Sequence, residues 1–207
     1  GILSEAFTLV LSWDPDLVEI VGLSLRVTLT AVGIACLIGL PLGAIVGAFR
    51  FPGRGAVALV LNALMGLPPV VVGLIVYLML SASGPLGVLG LLYTPTAMII
   101  AHADQFASLG VGMADRVGAL LWDARYSLMT VALAGFGRAV AEVGAVMIVG
   151  GNINHVTRVM TTTIALETSK GNLQLALALG VVLLTLAVLV NGAVMALRAS
   201  AVRSAYA

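Results

Sequence analysis

Two ionisable residues interrupt a long apolar stretch of the chain. Arg138 and Glu142 lie four residues apart, within a run that ends at Gly150, Gly151 and Asn152. At this spacing in a helix both charges share one face, so we expect them to neutralise one another. Charged residues are costly inside a membrane-length segment and generally face a protein interior there. The pair is therefore either a structural ion pair within one helix or part of a functional interior.

A second polar group follows, in residues 152–172. It contains Asn152, Arg158, Glu167 and Lys170, together with three consecutive threonines, Thr161, Thr162 and Thr163. We expect a re-entrant or interfacial helix with clustered donors, although the threonine hydroxyls can also donate to carbonyls of their own helix. His155 is interpreted as a solvated loop histidine, because no His, Cys or carboxylate stands at metal-ligand spacing from it.

The composition places these residues in a polytopic all-α membrane protein. Hydrophobic residues make up 61% of the 207 residues, charged residues 9%, and the mean hydropathy is +1.16. The apolar runs lack the alternation of a transmembrane β-barrel. A net charge of +1 gives no indication of nucleic acid as a partner. Cys36 is the only cysteine, which excludes an internal disulfide.

The hydropathy pattern predicts about five spans in a single domain, residues 1–207. The first 20 residues are acidic, have no basic signal-peptide region, and are expected to form an interfacial segment. The predicted spans are Val21–Phe49, Ala56–Leu80, a short one from Tyr93, Ser127–Val149 and Leu173–Leu197.

Arginines near the ends of the spans predict their orientation. Arg50 and Arg54 follow the first span, and Arg198 and Arg203 follow the last. Because positive residues are enriched in cytoplasmic loops, we expect the C-terminus in the cytoplasm and the N-terminus outside.

Two prolines interrupt the second span. Pro68 and Pro69 follow Gly66 and Leu67, and together they remove two backbone donors in the middle of the membrane. Such a break is tolerated where the freed carbonyls face protein or a watery cavity. It is either a packing kink or part of a functional path.

No catalytic motif is present. The sequence has no G-x-x-x-x-G-K-[ST] phosphate loop, so this chain is not expected to bind ATP by that route. It also lacks the H-E-x-x-H and G-x-S-x-G patterns. We predict that it is not an enzyme and carries no cofactor or metal.

One polar segment, residues 104–122, resembles a signature of ABC importer permeases. In that family an E-A-A-x-x-x-G loop forms the cytoplasmic coupling helix that docks on the ATP-binding subunit. Here Asp104 stands in the place of the Glu and Gly110 follows six residues later, whereas Gln105 and Phe106 depart from the two alanines. The resemblance assigns coupling to the run Asp104, Gln105, Phe106, Ala107, Ser108, Leu109 and Gly110.

Further motifs extend the resemblance over nearly the whole chain. They are Phe51-Pro-Gly-Arg54, Met65-Gly-Leu-Pro-Pro-Val-Val-Val-Gly73, Ser83-Gly-Pro-Leu-Gly87, Tyr93-Thr-Pro-Thr-Ala-Met-Ile-Ile-Ala101, Arg138–Gly144, Gly151-Asn-Ile-Asn154 and Thr157-Arg-Val-Met-Thr-Thr162. This set is similar to the molybdate/tungstate branch, and most similar to tungstate permease subunits.

The resemblance implies that the chain has the type I importer fold and that the permease acts as a homodimer in the cell inner membrane. The implied partners are a second copy, a dimer of ATP-binding subunits carrying ATP and Mg, an extracytoplasmic oxyanion-binding protein and membrane lipid. Hydroxyls, backbone donors and limited positive charge suit an oxyanion that must be released again. On this basis Pro68, Pro69, Arg138, Glu142, Asn152, Arg158, Thr161, Thr162 and Thr163 are expected along the translocation path or its gate.

The third span departs from the family. Members normally continue it for several turns before the coupling helix, whereas here Ala101-His-Ala-Asp104 joins the two directly. We therefore predict that roughly 20 or more residues, about the length of one crossing, are absent at this point. Without a full crossing, the coupling segment would reach the outer face of the membrane.

Two other classes of function remain open from the residues alone. A secondary transporter or channel would use Arg138 and Glu142 for protons or gating, and would not need an ATPase. A membrane anchor would only assemble its partners. Within the importer class, molybdate or sulfate is the alternative to tungstate.

Overall fold

The computed structural model describes residues 1–102 and 124–205, and its described part contains helices and no strand. In chain order the α-helices are α1 (Ile2–Leu11), α2 (Pro15–Ala48), α3 (Arg54–Met65), α4 (Pro69–Leu80), α5 (Pro95–Ala101), α6 (Ala124–Val140), α7 (Gly144–Gly150), α8 (Met160–Lys170) and α9 (Leu173–Ala205). A short 3₁₀ helix, Gly87–Leu89, lies between α4 and α5.

Among the described residues, two unbroken helices are long and apolar enough to cross a membrane. They are α2, with 34 residues, and α9, whose apolar part is Leu173–Ser200. At 1.5 Å per residue α2 is about 50 Å long, well over the roughly 30 Å of hydrocarbon. It begins six residues earlier than predicted, because the Asp14 carboxylate accepts hydrogen bonds from the amides of Asp16 and Leu17.

Two further crossings are broken helices. The pair α3 and α4 bends by 99° between Met65 and Pro69, as the double proline predicted. The pair α6 and α7 bends by 60°, so the prediction of one continuous helix over Ser127–Val149 is wrong. With each bent pair counted as one span, the described residues contain up to four crossings.

The break between α6 and α7 has local and tertiary causes. The Glu142 amide donates to the Ala139 carbonyl in a tight turn, and the Glu142 carboxylate accepts from the Ala145 amide at 3.1 Å. A Cβ on Gly144 would lie 2.6 Å from a methyl of Val70, so the chain approaches α4 closely at this point. Side-chain capping and this close packing together replace the helical hydrogen bonds that are lost.

The short helices α4, α5 and α7 pack against one another as a bundle. Their shared core consists of Val76, Leu80, Ala97, Ala101, Ala145 and Val149. Helix α5 of this bundle has seven residues and spans about 10 Å, so the predicted short third span is confirmed as far as it is described.

The two long helices pack beside the other helices and present apolar surface outward. Helix α2 packs on α5 and α6, while α9 packs on α1, α6 and α8. Leu37 on α2 is 77% exposed, and Val188 on α9 is 70% exposed. Because these side chains are apolar and unburied, we assign them to the lipid-facing surface.

Polar contacts group several helix ends on one side of the molecule. Gln174 at the start of α9 donates to Glu5 of α1, and His155 in the loop before α8 contacts Glu19 near the start of α2 at 2.8 Å. Arg54 donates to the Val46 carbonyl at the opposite end of α2. The two ends of α2 are therefore held by different neighbours.

Candidate functional site: a polar region at two helix breaks

The two helix breaks lie next to each other. Gly144, the first residue of α7, packs on Val70 at the start of α4, and a Cβ on Gly73 would be 2.6 Å from the Cα of Ala145. The first turns of α4 and α7 are therefore in contact. Pro68 and Pro69 thus lie beside the segment that carries Glu142, two regions that the sequence analysis had assigned to one path without placing them together.

Glu142 is the connection between this region and the polar segment that follows α7. Its carboxylate accepts a hydrogen bond from the Ala145 amide, and its backbone carbonyl accepts one from the Thr161 hydroxyl at 2.8 Å. Thr161 is the second residue of α8 and is 7% exposed. This hydrogen bond therefore joins α8 to the break between α6 and α7.

A small buried polar cavity adjoins Glu142. Its polar lining residues are Ser24 and Thr28 on α2, His102 after α5, Glu142 and Thr161. The cavity volume is about 10 Å³, which is close to the space that one water molecule needs. Ser24 accepts the Met160 amide at 2.7 Å, so α2 also holds the start of α8. Four elements therefore meet around this polar centre.

Three of these residues were missed by the sequence analysis. Ser24, Thr28 and His102 are 6%, 4% and 4% exposed. The ring nitrogens of His102 lie 2.7 Å from the Met98 carbonyl oxygen and 3.4 Å from that of Ala139. A histidine at the end of an apolar run was a visible signal, whereas a single Ser or Thr on a long helix carries none.

Arg138 does not line the polar cavity beside Glu142. It lines a groove between α6 and α9, together with Asn191 and Arg198, while Glu142 lines the polar cavity. The prediction that both residues share one face of one helix is therefore wrong, because α6 ends at Val140 and the chain turns before Glu142.

Asn152 and Arg158 form a second polar group at the far end of α7. Arg158 donates to Asn154 Oδ1 at 3.1 Å and to the Asn152 carbonyl at 3.5 Å. Among the described residues, the buried side-chain atoms without a hydrogen-bond partner are Arg158 Nε and Asn152 Oδ1. Unsatisfied buried polar atoms are uncommon and often mark a site that binds something. Both atoms belong to the loop between α7 and α8.

The three threonines have different roles in the structure. Thr162 and Thr163 are fully buried, and both hydroxyls donate to the Val159 carbonyl at 3.1 and 2.6 Å. The alternative in which hydroxyls are satisfied on nearby backbone is thus confirmed for these two. Thr161 instead reaches a different element through Glu142.

Glu167 closes the other end of α8. Its carboxylate accepts hydrogen bonds from Lys170 at 3.0 Å and from Asn172 at 2.9 Å. These bonds, that from Lys170 first, hold the pKa of Glu167 below its usual value of 4.5. The carboxylate therefore stays ionised and fixes the turn between α8 and α9.

The sequence analysis also predicted a coupling segment and no metal site. The described residues contain no group of three or more His, Cys, Asp or Glu that could hold a metal ion. The predicted coupling segment, residues 104–110, lies outside the described residues.

Broken helices beside a buried polar centre, in a chain of largely apolar helices, are typical of membrane transport proteins. No family model matches the chain. It is 39% identical to the tungstate uptake system permease protein TupB of Peptoclostridium acidaminophilum, over 93% of this chain and 95% of that protein. It is also 39% identical to a probable anion ABC transporter permease protein of Haloferax volcanii, over 84% and 88% of the two chains. A tungstate uptake system permease protein TupB of Campylobacter jejuni is 34% identical, over 69% and 70%.

These relatives cover most of the chain, which belongs to the family of ABC transporter permease proteins. It is a multi-pass membrane protein and a transport subunit. A shorter likeness, 35% identity over 74 residues, connects it with the sulfate transport system permease protein CysW of Escherichia coli.

The match with the Peptoclostridium protein is longer than the part of this chain that it covers. It extends over 216 residues, whereas 93% of this 207-residue chain is about 193 residues. The chain therefore has about 23 residues fewer than the match, close to the length of one membrane crossing.

Proposed function

We propose that this chain is the membrane-spanning permease subunit of an ATP-driven importer for an oxyanion, with tungstate as the first candidate. The proposal rests on the match with two relatives named as tungstate uptake permeases. The matches cover 95% and 70% of the lengths of those relatives. The chain lacks a phosphate loop, so ATP and Mg belong to a separate ATP-binding subunit. An extracytoplasmic binding protein would deliver the anion.

Arg158 and Asn152 are proposed to receive the anion at the outer mouth. The hydrogen bonds of Arg158 go to neutral acceptors, Asn154 Oδ1 and the Asn152 carbonyl, rather than to a carboxylate. Its positive charge is thus held in place and can attract an anion, and Nε is an additional donor. Limited charge among neutral groups also permits release of the anion.

The adjacent helix breaks are proposed to form the gate. The first turn of α4 follows Pro68 and Pro69, and Glu142 caps the first turn of α7. Thr161 ties this point to α8, and α8 is joined to the Arg158 loop at its own first turn. Occupation of the outer mouth could thus change the bend between α6 and α7. Thr162 and Thr163 would support this gate by holding the start of α8.

The path is proposed to lie between two copies of the chain, driven by a dimer of ATP-binding subunits that push on residues 104–110. This coupling needs residues 104–110 in the cytoplasm. We propose that the difference of about 23 residues falls between Ala101 and Asp104. One added crossing at this position places residues 104–110 on the same side as Arg198 and Arg203.

Reconstituted transport tests the function. Proteoliposomes holding the chain, its ATP-binding subunit and its binding protein should accumulate tungstate only with ATP and with all three components. Excess molybdate and sulfate, added separately, measure selectivity. ATP-independent flux would contradict the importer proposal and favour a channel or secondary transporter, while absence of flux in every combination would favour an anchor.

Sulfate is the second candidate cargo, because the chain shares 35% identity over 74 residues with a sulfate transport permease. Sulfate uptake that tungstate does not inhibit would favour this alternative.

The variant Arg158→Gln separates binding from structure: it should lower uptake of the preferred anion without reducing the yield of folded protein. Arg203→Gln, at the far end of α9, is the matched control and should transport normally.

Labelling in cells tests the orientation. Cys36 is the only cysteine, so a Cys36→Ala background allows single cysteines to be introduced at Ser108 and at Ser169. In the protein with the proposed crossing restored between Ala101 and Asp104, a membrane-impermeant maleimide should label Ser169→Cys in intact cells and Ser108→Cys only after lysis. Labelling of Ser108→Cys in intact cells would contradict the coupling assignment.

A further inference from the structure

The groove between α6 and α9 is separate from the polar centre at the helix breaks. It has a volume of about 390 Å³, within the range of small-ligand sites. Its polar lining residues in the described part of the chain are Arg138, Asn191 and Arg198. The remaining lining is largely apolar and includes Leu186, Val190 and Val194.

The charged residues among the described part of the groove lining are arginines. The described lining residues include two arginines and no carboxylate. Arg198 is exposed, on the last turns of α9. A ligand that fits must combine an anionic group with a long apolar portion, because arginines and an apolar wall line the same cavity.

The position of the groove along α9 indicates its depth in the membrane. A Cβ on Gly137 would lie 3.4 Å from a methyl of Val190, so Arg138 is level with the middle of α9. Val190 is about 26 Å along the helix from Leu173, and Arg198 about 12 Å further. With Leu173 at one boundary of about 30 Å of hydrocarbon, Arg198 reaches the head-group level of the opposite leaflet.

We propose that this groove binds one anionic phospholipid of the cytoplasmic leaflet. Its head-group phosphate would contact the Arg198 guanidinium. One acyl chain lies between α6 and α9, against Val190 and Val194. Basic pockets between membrane helices on the cytoplasmic side are suited to anionic head groups. The bound lipid would link two helices, one of which continues into the break at Glu142.

Photocrosslinking in nanodiscs tests the proposal. The purified chain is placed in phosphatidylcholine nanodiscs with a small fraction of phosphatidylglycerol that carries a photoreactive acyl chain. Adducts should map to α6 and α9, and unlabelled phosphatidylglycerol should compete more strongly than phosphatidylcholine. Arg198→Gln should weaken the apparent affinity about fivefold, the effect of one positive charge near an anionic surface. Arg203→Gln, on the same helix but outside the groove lining, should leave it unchanged.

A second pair of variants tests the apolar part. Ala187 lines the groove, whereas its neighbour Val188 is 70% exposed and does not. Ala187→Phe should therefore block the adduct and Val188→Phe should not, with both proteins monodisperse on size exclusion.

Four results would overturn the lipid site. Equal competition by the two lipids would exclude recognition of charge, and equal losses in Arg198→Gln and Arg203→Gln would indicate a diffuse surface effect. Competition by millimolar inorganic phosphate would identify a site for a free anion. Crosslinks between two copies in place of lipid adducts would identify a subunit interface.

Discussion

Replacing Gly73 with alanine should loosen the contact between α4 and α7 and impair transport. The added methyl would lie 2.6 Å from the Cα of Ala145 and 3.2 Å from its carbonyl oxygen, well inside ordinary contact distance. Backbone atoms cannot rotate away as a side chain can, so the two helices must separate. Overpacking of this kind costs about 1–3 kcal/mol.

Gly33→Ala is the control that isolates this effect. Gly33 is also helical, on α2, but a Cβ there would meet nothing within 4 Å. Both variants gain the same helix preference of alanine over glycine, about 1 kcal/mol. Their difference in free energy of unfolding should therefore be the overpacking term alone, about 1–3 kcal/mol in favour of Gly33→Ala.

The assay is thermal unfolding of both purified variants in the same detergent, followed by uptake in proteoliposomes. Gly73→Ala should unfold at the lower temperature and transport more slowly. Adding Ala145→Gly should restore little, because the closest atom is the Cα and not the methyl group. Equal stability of Gly73→Ala and Gly33→Ala would refute the close crossing of the two broken helices.

Two further substitutions test the polar contacts. Thr161→Val removes the hydrogen bond to the Glu142 carbonyl and should cost about 1–3 kcal/mol of unfolding free energy and slow uptake, whereas Thr185→Val, which loses only a bond to its own exposed helix, should do neither. Similar losses in both would contradict a link between α8 and the break. For Glu167, bonded to Lys170, the folded pKa is lowered, so its contribution to stability is present above about pH 4.5 and is lost as the pH falls through the folded pKa. Wild-type melting temperature should therefore drop in acid by more than that of Glu167→Gln, and parallel curves for the two proteins would contradict this.

The sequence by itself determined the class of protein and the approximate location of its helices. Its hydrophobic content requires helices whose backbone hydrogen bonds are satisfied internally within the membrane. The break at Pro68 and Pro69 was also predictable, because proline cannot donate to the helical ladder. The short third span could be read from the end of the apolar run at Ala103. The family resemblance in the motifs is confirmed by the relatives of known type.

The break between α6 and α7 could not be predicted, because no proline marks it. Gly144 is one of many glycines in the chain, and its role depends on Val70, which is distant in sequence. An i, i+4 pattern is correct only while the helix continues, and α6 ends at Val140. Arg138 and Glu142 were therefore identified as polar residues of interest but assigned to the wrong arrangement.

The polar centre itself was decided by tertiary structure. Ser24, His102 and Thr161 come from three separate parts of the chain, and only packing places them around one cavity. Sequence periodicity reports which face of a helix is apolar, but it cannot report which neighbour that face meets. Residue types therefore determined what chemistry this membrane protein can perform, and the contacts between its broken helices decided where.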